Sequence, residues 1–198
     1  AGVASGGYLW ETTERDWAWV MGVNLMGVVH GIQHFVPRMI EAAARGEPCH
    51  VVNTASMAGW LNAPLMGIYN VSKHAVVALT ESLYHDLRAA NSSLGVSLLC
   101  PAFVPTGIAH SHRHRPAELA NEGGVTASQR VAQAASEKAV SSGRLTAAEV
   151  AEQTFAAIDS GRFYVFTHPK ILPSVQARIE AALAGAAPAD PFAAKPEL

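Results

Sequence analysis

Two hydrophobic patterns alternate along this chain: long segments with helical spacing, and short runs that are apolar throughout. "TTERDWAWVMGVNLMGVVHGIQHFVPRMIEAAARG" (12–46) predicts one long helix, capped by Thr12 or Thr13, acidic in its first turn and stopped by Gly46. "CHVVNTA" (49–55) is a β-branched run of strand length. Over 66–91, Ala75, Leu79, Leu83 and Leu87 form one i, i+4 series, which predicts a second long helix. "GVSLLCPA" (95–102) reads as a buried strand ended by Pro101, and the polar stretch 105–145 has only a weakly helical middle. "TAAEVAEQTFAAIDSG" (146–161) predicts a helix opened by a Thr146–Glu149 capping box and closed by glycine. "RFYVFTH" (162–168) predicts a third strand and 173–185 a final helix. The proline- and alanine-rich tail 186–198 is expected to be disordered.

The strands are continuous apolar runs without in–out alternation, which is the pattern of parallel strands covered on both faces by helices. Helix and strand also alternate in order. The fold class is therefore α/β, a doubly wound parallel sheet with flanking helices, in one domain over 1–185. Such sheets take ligands outside the carboxyl ends of their strands, so the residues just past 55 and 100 are the ones to read for chemistry.

Composition narrows the setting. The chain has 198 residues, enough for one substantial core, with 49% hydrophobic and only 15% charged residues. A net charge of −2 gives no electrostatic reason to expect nucleic acid or an anionic membrane as partner. Cys49 and Cys100 sit inside apolar runs and read as buried thiols, which fits a reducing, cytoplasmic setting. No apolar run reaches 18 residues, and the start lacks the form of a signal peptide.

"IYNVSKHA" (68–75) places Tyr69 and Lys73 four apart on the second long helix, one above the other on the same face. Taken alone the pair is compatible with an ordinary helix surface. Ser56 falls just past the first predicted strand, and the long helix before it carries Asn24. A hydroxyl, a phenol, an ammonium and an amide thus converge on one crevice. A free phenol has a pKa of about 10, and a neighbouring ammonium favours the phenolate, so Lys73 is expected to lower Tyr69 toward useful base strength.

These residues give the chain a resemblance to the short-chain dehydrogenase/reductase family. The matching stretches are "AG" (1–2), Asn24 in "VNLMG", Ser56 in "VVNTASMAG", Tyr69 and Lys73 in "YNVSK", and "PAFVPTGI" (101–108), with Ser56 13 positions before Tyr69. The resemblance covers the chain to about residue 170 and implies the C-terminal portion of a Rossmann-like sheet. It implies reversible hydride transfer between NAD or NADP and a secondary alcohol or ketone. Catalytic roles would fall on Asn24, Ser56, Tyr69 and Lys73, with Asn24 holding a water that links Lys73 to solvent. Cofactor contacts would come from Ala1, Gly2, Tyr69, Lys73, Pro101, Ala102, Val104 and Thr106, although Ala102 stands where the family commonly has glycine. A homodimer or homotetramer packed through the two long helices is also implied.

The family's phosphate-binding glycine loop would lie upstream of "AG", across on the order of 80 residues at about 30 per βαβ unit. The sequence printed here starts inside the turn that follows, so weak or absent cofactor binding by these 198 residues alone is the expectation, together with an exposed edge on the first strand. A non-catalytic module keeping only interaction surfaces is the alternative reading. Substrate contacts are expected from Ser56, Trp60, Leu61, Met66, Phe103 and Ile108, under a lid formed by 105–145. That pocket is apolar and suits a hydrophobic or aromatic alcohol or ketone, in line with similarity to aryl-alcohol members such as lignin-fragment Cα-dehydrogenases. A carrier-linked or steroid ketoreductase is a further possibility. "HSHRHR" (110–115) lacks a carboxylate or cysteine at ligand spacing and reads as a substrate-side loop, not a metal site, with Arg113 or Arg115 placed to meet an acidic group.

Overall fold

The computed structural model describes residues 2–191. Three parallel strands, β1 (His50–Thr54), β2 (Gly95–Cys100) and β3 (Tyr164–Phe166), form a sheet in the order β1-β2-β3. Pairing runs from His50↔Gly95 to Thr54↔Leu99, and from Leu98↔Tyr164 to Cys100↔Phe166. The β2 ladder ends at Cys100 because Pro101 has no N–H to extend it. β1 pairs on one side only among the described residues.

Among the described residues, six α-helices flank the sheet: α1 (Glu14–Met21), α2 (Gly27–Ala44), α3 (Gly67–Ala89), α4 (Ala127–Ser141), α5 (Ala147–Asp159) and α6 (Leu172–Leu183). Both faces of β2 are covered. Val96 packs with Val36 of α2 and with Leu83 and Leu87 of α3, while Leu98 and Cys100 pack with Val76, Val77 and Val175. On the other face, Leu99 and Val165 pack with Val150 and Ala157 of α5. The chain therefore has the α/β architecture that continuous apolar strands predict.

The predicted helix 12–46 is interrupted. Thr13 caps it through a reciprocal box with Asp16, and a π-helical turn, Gly22–Met26, joins α1 to α2. The wider turn accommodates one extra residue, and Asn24 lies within it, buried. Its Oδ1 accepts from Val3 N–H at 2.9 Å, and its Nδ2 donates to the Val3 carbonyl at 2.9 Å and to Ser72 Oγ at 3.0 Å. One amide thereby joins the N-terminal segment, the first helix pair and α3.

Segment 105–145 is more ordered than its polarity predicts. It forms two 3₁₀ turns, Gly107–His114 and Ala117–Leu119, and then α4, whose Thr126–Gln129 capping box is visible in the sequence. It is stitched to the N-terminal segment. Ser111 Oγ accepts from Ala4 N–H at 3.1 Å, Ser128 Oγ accepts from Tyr8 N–H at 3.1 Å, and Glu11 accepts from Thr126 at 2.7 Å. Beyond α6, residues 186–190 form no helix or strand; the rest of the tail, from 192, lies outside the described residues, as does Ala1.

Arg115 is not free to meet a substrate. It donates to Asp16 Oδ1 at 2.6 Å, and its guanidinium lies 5.1 Å from the centre of the Trp19 ring. Asp16 is buried, and burial alone would raise its pKa. Hydrogen bonds from the Thr13 backbone, Arg115, the Thr13 hydroxyl and Asn121 overcome that and hold it below the usual value. A carboxylate depressed on folding contributes stability that is complete above the unfolded value and lost as pH falls through the folded one. Arg115→Ala, which leaves a buried charge without its ion partner, should lower unfolding free energy by about 3 kcal/mol in urea titrations. Asp16→Asn should flatten the loss of stability below pH 3.8.

Candidate active site

The crevice opens at the carboxyl ends of β1 and β2, where β1 delivers Ser56 and β2 delivers Pro101. Ser56 Oγ accepts from Ala58 N–H at 3.1 Å, capping the 3₁₀ turn Met57–Gly59, and donates to the Pro101 carbonyl at 3.2 Å. Met57 N–H donates to the same carbonyl at 2.9 Å. The Ser56 hydroxyl is also near enough to the Tyr69 phenol to favour its ionised form. It caps the turn and faces the phenol at once.

α3 brings Tyr69 and Lys73 to this point. Lys73 is only 3% exposed, its Nζ donates to the Thr54 carbonyl at 3.1 Å, and it lies 5.7 Å from the centre of the Tyr69 ring. The turn after Ser56 rests directly on α3. A Cβ on Gly59 would come within 2.8 Å of the Lys73 carbonyl oxygen and 2.7 Å of Val77, so only glycine permits this approach. Before α3, Leu65 has a φ of 61°, a strained setting for a branched side chain. Its carbonyl accepts from Gly7 N–H at 2.8 Å, tying the start of α3 to the N-terminal segment.

The electrostatics differ from the expectation drawn from spacing. Burial raises the Tyr69 pKa, and the Ser56 hydroxyl offsets this only in part. Lys73 is itself desolvated, which lowers it to about 8, with the Cys100 thiol acting in the other direction. Cys100, behind the crevice, is pushed up to about 11 by burial, against a hydrogen bond from Trp60. The phenol is thus held as a neutral donor, because desolvation of both groups outweighs their mutual help.

The other predicted positions separate into two groups. Gly2 stands at the crevice: a Cβ there would lie 3.8 Å from Asn24 Oδ1, 3.9 Å from Lys73 Nζ and 4.0 Å from Ile108 Cδ1. Met66 stands beside the N-terminal segment, bridged to Gly7 and with its sulfur 3.7 Å from where a Gly6 Cβ would be. Thr106 caps the first 3₁₀ turn and is exposed, Phe103 is half-buried, and Ala102 follows Pro101. The only non-glycine residues with positive φ among those described are Leu65 and Asn91, so the backbone at Ala102 does not call for glycine. Leu61, in contrast, is buried in the core with Val76 and Val77, and the Val104 side chain packs under α5. Trp60 turns the other way. Its ring packs edge-on against Tyr164 and Phe166 of β3, and it lines an apolar cleft with Leu172, Val175 and Ile179 of α6.

Asn24 uses three of its four hydrogen-bonding positions on Val3 and Ser72, leaving one lone pair of Oδ1 beside Gly2 and Lys73. Lys73 has three N–H donors, of which one is directed at Thr54. A buried ammonium next to the bare backbone of Gly2 suits a vicinal diol, such as a nicotinamide ribose. No group of three His, Cys, Asp or Glu side chains suited to a metal occurs among the described residues. Nor is any described helix long and apolar enough to cross a membrane.

Residues 1–117 match the family model described as short chain dehydrogenase. The chain belongs to this family. Curated relatives include a CLA biosynthesis dehydrogenase/reductase from Lactiplantibacillus plantarum, 32% identical over 191 residues, which are 95% of this chain and 65% of that protein. A C alpha-dehydrogenase from Sphingobium is 32% identical over 197 residues, 98% of this chain and 62% of that protein. The chain therefore spans less than two thirds of either. A crystal structure of a short chain dehydrogenase/reductase from Burkholderia phymatum in complex with NAD is 55% identical. It superposes with a TM-score of 0.93 over 98% of this chain and 68% of the other. The parallel sheet and flanking helices are those of the short-chain dehydrogenase fold.

In the protein without cofactor, Tyr69 should ionise above the usual value near 10. Ser56→Ala removes the one group that lowers it and should raise it further. Ultraviolet difference titration of each protein against its Tyr69→Phe counterpart measures both shifts.

Proposed function

We propose that this chain forms the catalytic part of a NAD- or NADP-dependent oxidoreductase that interconverts a secondary alcohol and its ketone. The observation that carries this reading is the joint placement of Ser56, Tyr69 and Lys73 at the carboxyl end of β1, with Ser56 close enough to favour the ionised phenol and the ammonium buried on the Thr54 carbonyl. Membership of the short-chain dehydrogenase family and similarity to named dehydrogenases support it. The Burkholderia phymatum neighbour in complex with NAD supports a nicotinamide cofactor.

In this reading the bound dinucleotide accepts or supplies the hydride. Tyr69 Oη moves the proton: it donates to the ketone oxygen in reduction and takes the alcohol proton in oxidation. Ser56 Oγ holds the same oxygen while its charge changes, rotating its proton away from the Pro101 carbonyl to do so. Lys73 keeps one donor on Thr54 and offers the others to the ribose hydroxyls. A neutral Tyr69 is ready to donate, which suits the reducing direction. Oxidation needs the phenolate, which a protonated Lys73 favours.

Asn24 serves through its grip on Val3 and Ser72, which holds the N-terminal segment and α3 in fixed relation around Gly2 and Lys73. Gly2, with the backbone of Pro101 to Val104 and Thr106, is assigned to the nicotinamide side. Met66, Phe103 and Ile108 are assigned to the substrate side, under a lid formed by 105–145. These apolar linings favour a hydrophobic or aromatic substrate, in agreement with a relative named C alpha-dehydrogenase. Exposed Phe35 on α2 and Val71 and Tyr84 on α3 are the residues proposed to meet a second copy in a homodimer or homotetramer.

In the full-length protein, Tyr69→Phe should abolish turnover of aryl secondary alcohols and ketones while dinucleotide affinity stays within about threefold. Removing the acid–base group alone is worth about 10²–10⁴-fold in rate. Turnover retained by this variant in a steady-state assay overturns the assignment.

A further inference from the structure

The strand register places an unassigned histidine beside the cofactor-side turn. β2 and β3 pair from Leu98↔Tyr164 to Cys100↔Phe166, and the same offset carried two residues further sets His168 beside Ala102. Pro101 has broken the backbone ladder there, and a side chain takes over. His168 Nδ1 accepts from Ala102 N–H at 3.2 Å and lies 2.8 Å from the hydroxyl of buried Thr167. Burial lowers the pKa of the ring, and the nearby Phe103 carbonyl opposes that. With Nδ1 accepting, the ring carries its proton on Nε2, so the neutral imidazole is the form that fits. From the other side, a Cβ on Gly143 would come within 2.4 Å of the Phe103 oxygen, so the connection between α4 and α5 backs the same peptide. The turn Pro101–Val104 is thereby held between a histidine at the end of β3 and the backbone beyond α4.

We propose that His168 is a positioning residue for nicotinamide: by holding the Ala102 peptide, it aims the turn after β2 at the nicotinamide ring. This rests on the reading of the crevice as a nicotinamide-binding site. It also explains how the turn is kept in place with alanine at 102, since an external acceptor orients that peptide instead of a special glycine conformation. His168 touches neither Ser56, Tyr69 nor Lys73 in the hydrogen bonds described, and acts through the turn alone.

The test compares two ligands in the full-length protein by calorimetry: the nicotinamide dinucleotide that the wild type binds more tightly, and the matching ADP-ribose, which lacks the ring. His168→Ala should weaken the dinucleotide about tenfold, the scale of one lost hydrogen bond, and leave ADP-ribose unchanged. His168→Asn, whose Oδ1 can take the place of Nδ1, should restore binding to within about threefold, whereas His168→Gln should not. Without any ligand, the Ala102 amide should exchange with solvent about tenfold faster in His168→Ala than in His168→Asn. Equal weakening of both ligands in His168→Ala, or no weakening of either, overturns the proposal. So does identical behaviour of the Asn and Gln variants, which decides the matter if His168→Ala does not fold. A wild-type protein that binds neither NAD nor NADP overturns the functional reading itself, a result distinct from all of these.

Discussion

The contact on which the site depends is the hydrogen bond from Lys73 Nζ to the Thr54 carbonyl, a charged group held almost out of water at the end of a strand. A buried ammonium is costly unless it is hydrogen-bonded, and this one retains only enough solvation to keep its pKa near 8. The surrounding structure serves to make that placement possible. Gly59 lets the turn after β1 lie on the Lys73 carbonyl, and Asn24 fixes the helix on which Lys73 rides through Ser72. Gly2 leaves open the space in front of the ammonium. Each is a small local feature, and their effects meet at one nitrogen.

Desolvation gives the pair a consequence that separation along the helix does not express. Tyr69 and Lys73 sit one turn apart, which by charge alone would favour the phenolate. Lys73 is buried and Tyr69 half-buried, and desolvation raises the phenol while it lowers the ammonium, so their free forms approach neutrality together. Groups poised this way exchange protons readily once a charged or strongly polar ligand arrives. The Ser56 hydroxyl is already bonded to the Pro101 carbonyl and to Ala58 N–H, so a substrate oxygen enters an existing hydrogen-bond set instead of an empty space.

Much of this was legible in the sequence. Continuous apolar runs identified β1, β2 and β3, and the threonines at 12–13 and the Thr146–Glu149 capping pair marked helix starts. The interval between Ser56 and Tyr69 placed both in one crevice. What the sequence did not reveal has physical reasons. A π turn has no composition of its own, so the break at Gly22–Met26 is invisible in the periodicity, although it is what turns Asn24 inward. Trp60 was expected in the substrate pocket on its position after Ser56, but three apolar rings gather on the β3 side instead. Arg115 was expected to meet an acidic substrate group, because its actual partner Asp16 lies 99 positions away. Leu65 in a left-handed conformation has no signature at all, since a branched residue is the last choice for it.

The departures at Trp60 and Arg115 share a cause: each concerns a side chain whose partner is distant in sequence, and such partners become known only when strands are in register. The same register points to His168. Proline at 101 ends the β2 ladder one residue past its last pair, which leaves the Ala102 N–H needing an acceptor that no backbone carbonyl supplies. A histidine two residues beyond the paired end of β3 is within reach, and a polar acceptor is required there by the same accounting that governs any backbone amide turned out of a sheet. Parallel sheets concentrate ligand sites at their carboxyl ends because the ladder stops there and side chains must complete it. In this chain the completion is shared among Ser56 on Pro101, Lys73 on Thr54 and His168 on Ala102. Three side chains thus finish the sheet's hydrogen bonding, and two of them are also the groups proposed to meet the substrate and cofactor. Closing the sheet and forming the site are therefore one structural requirement, not two.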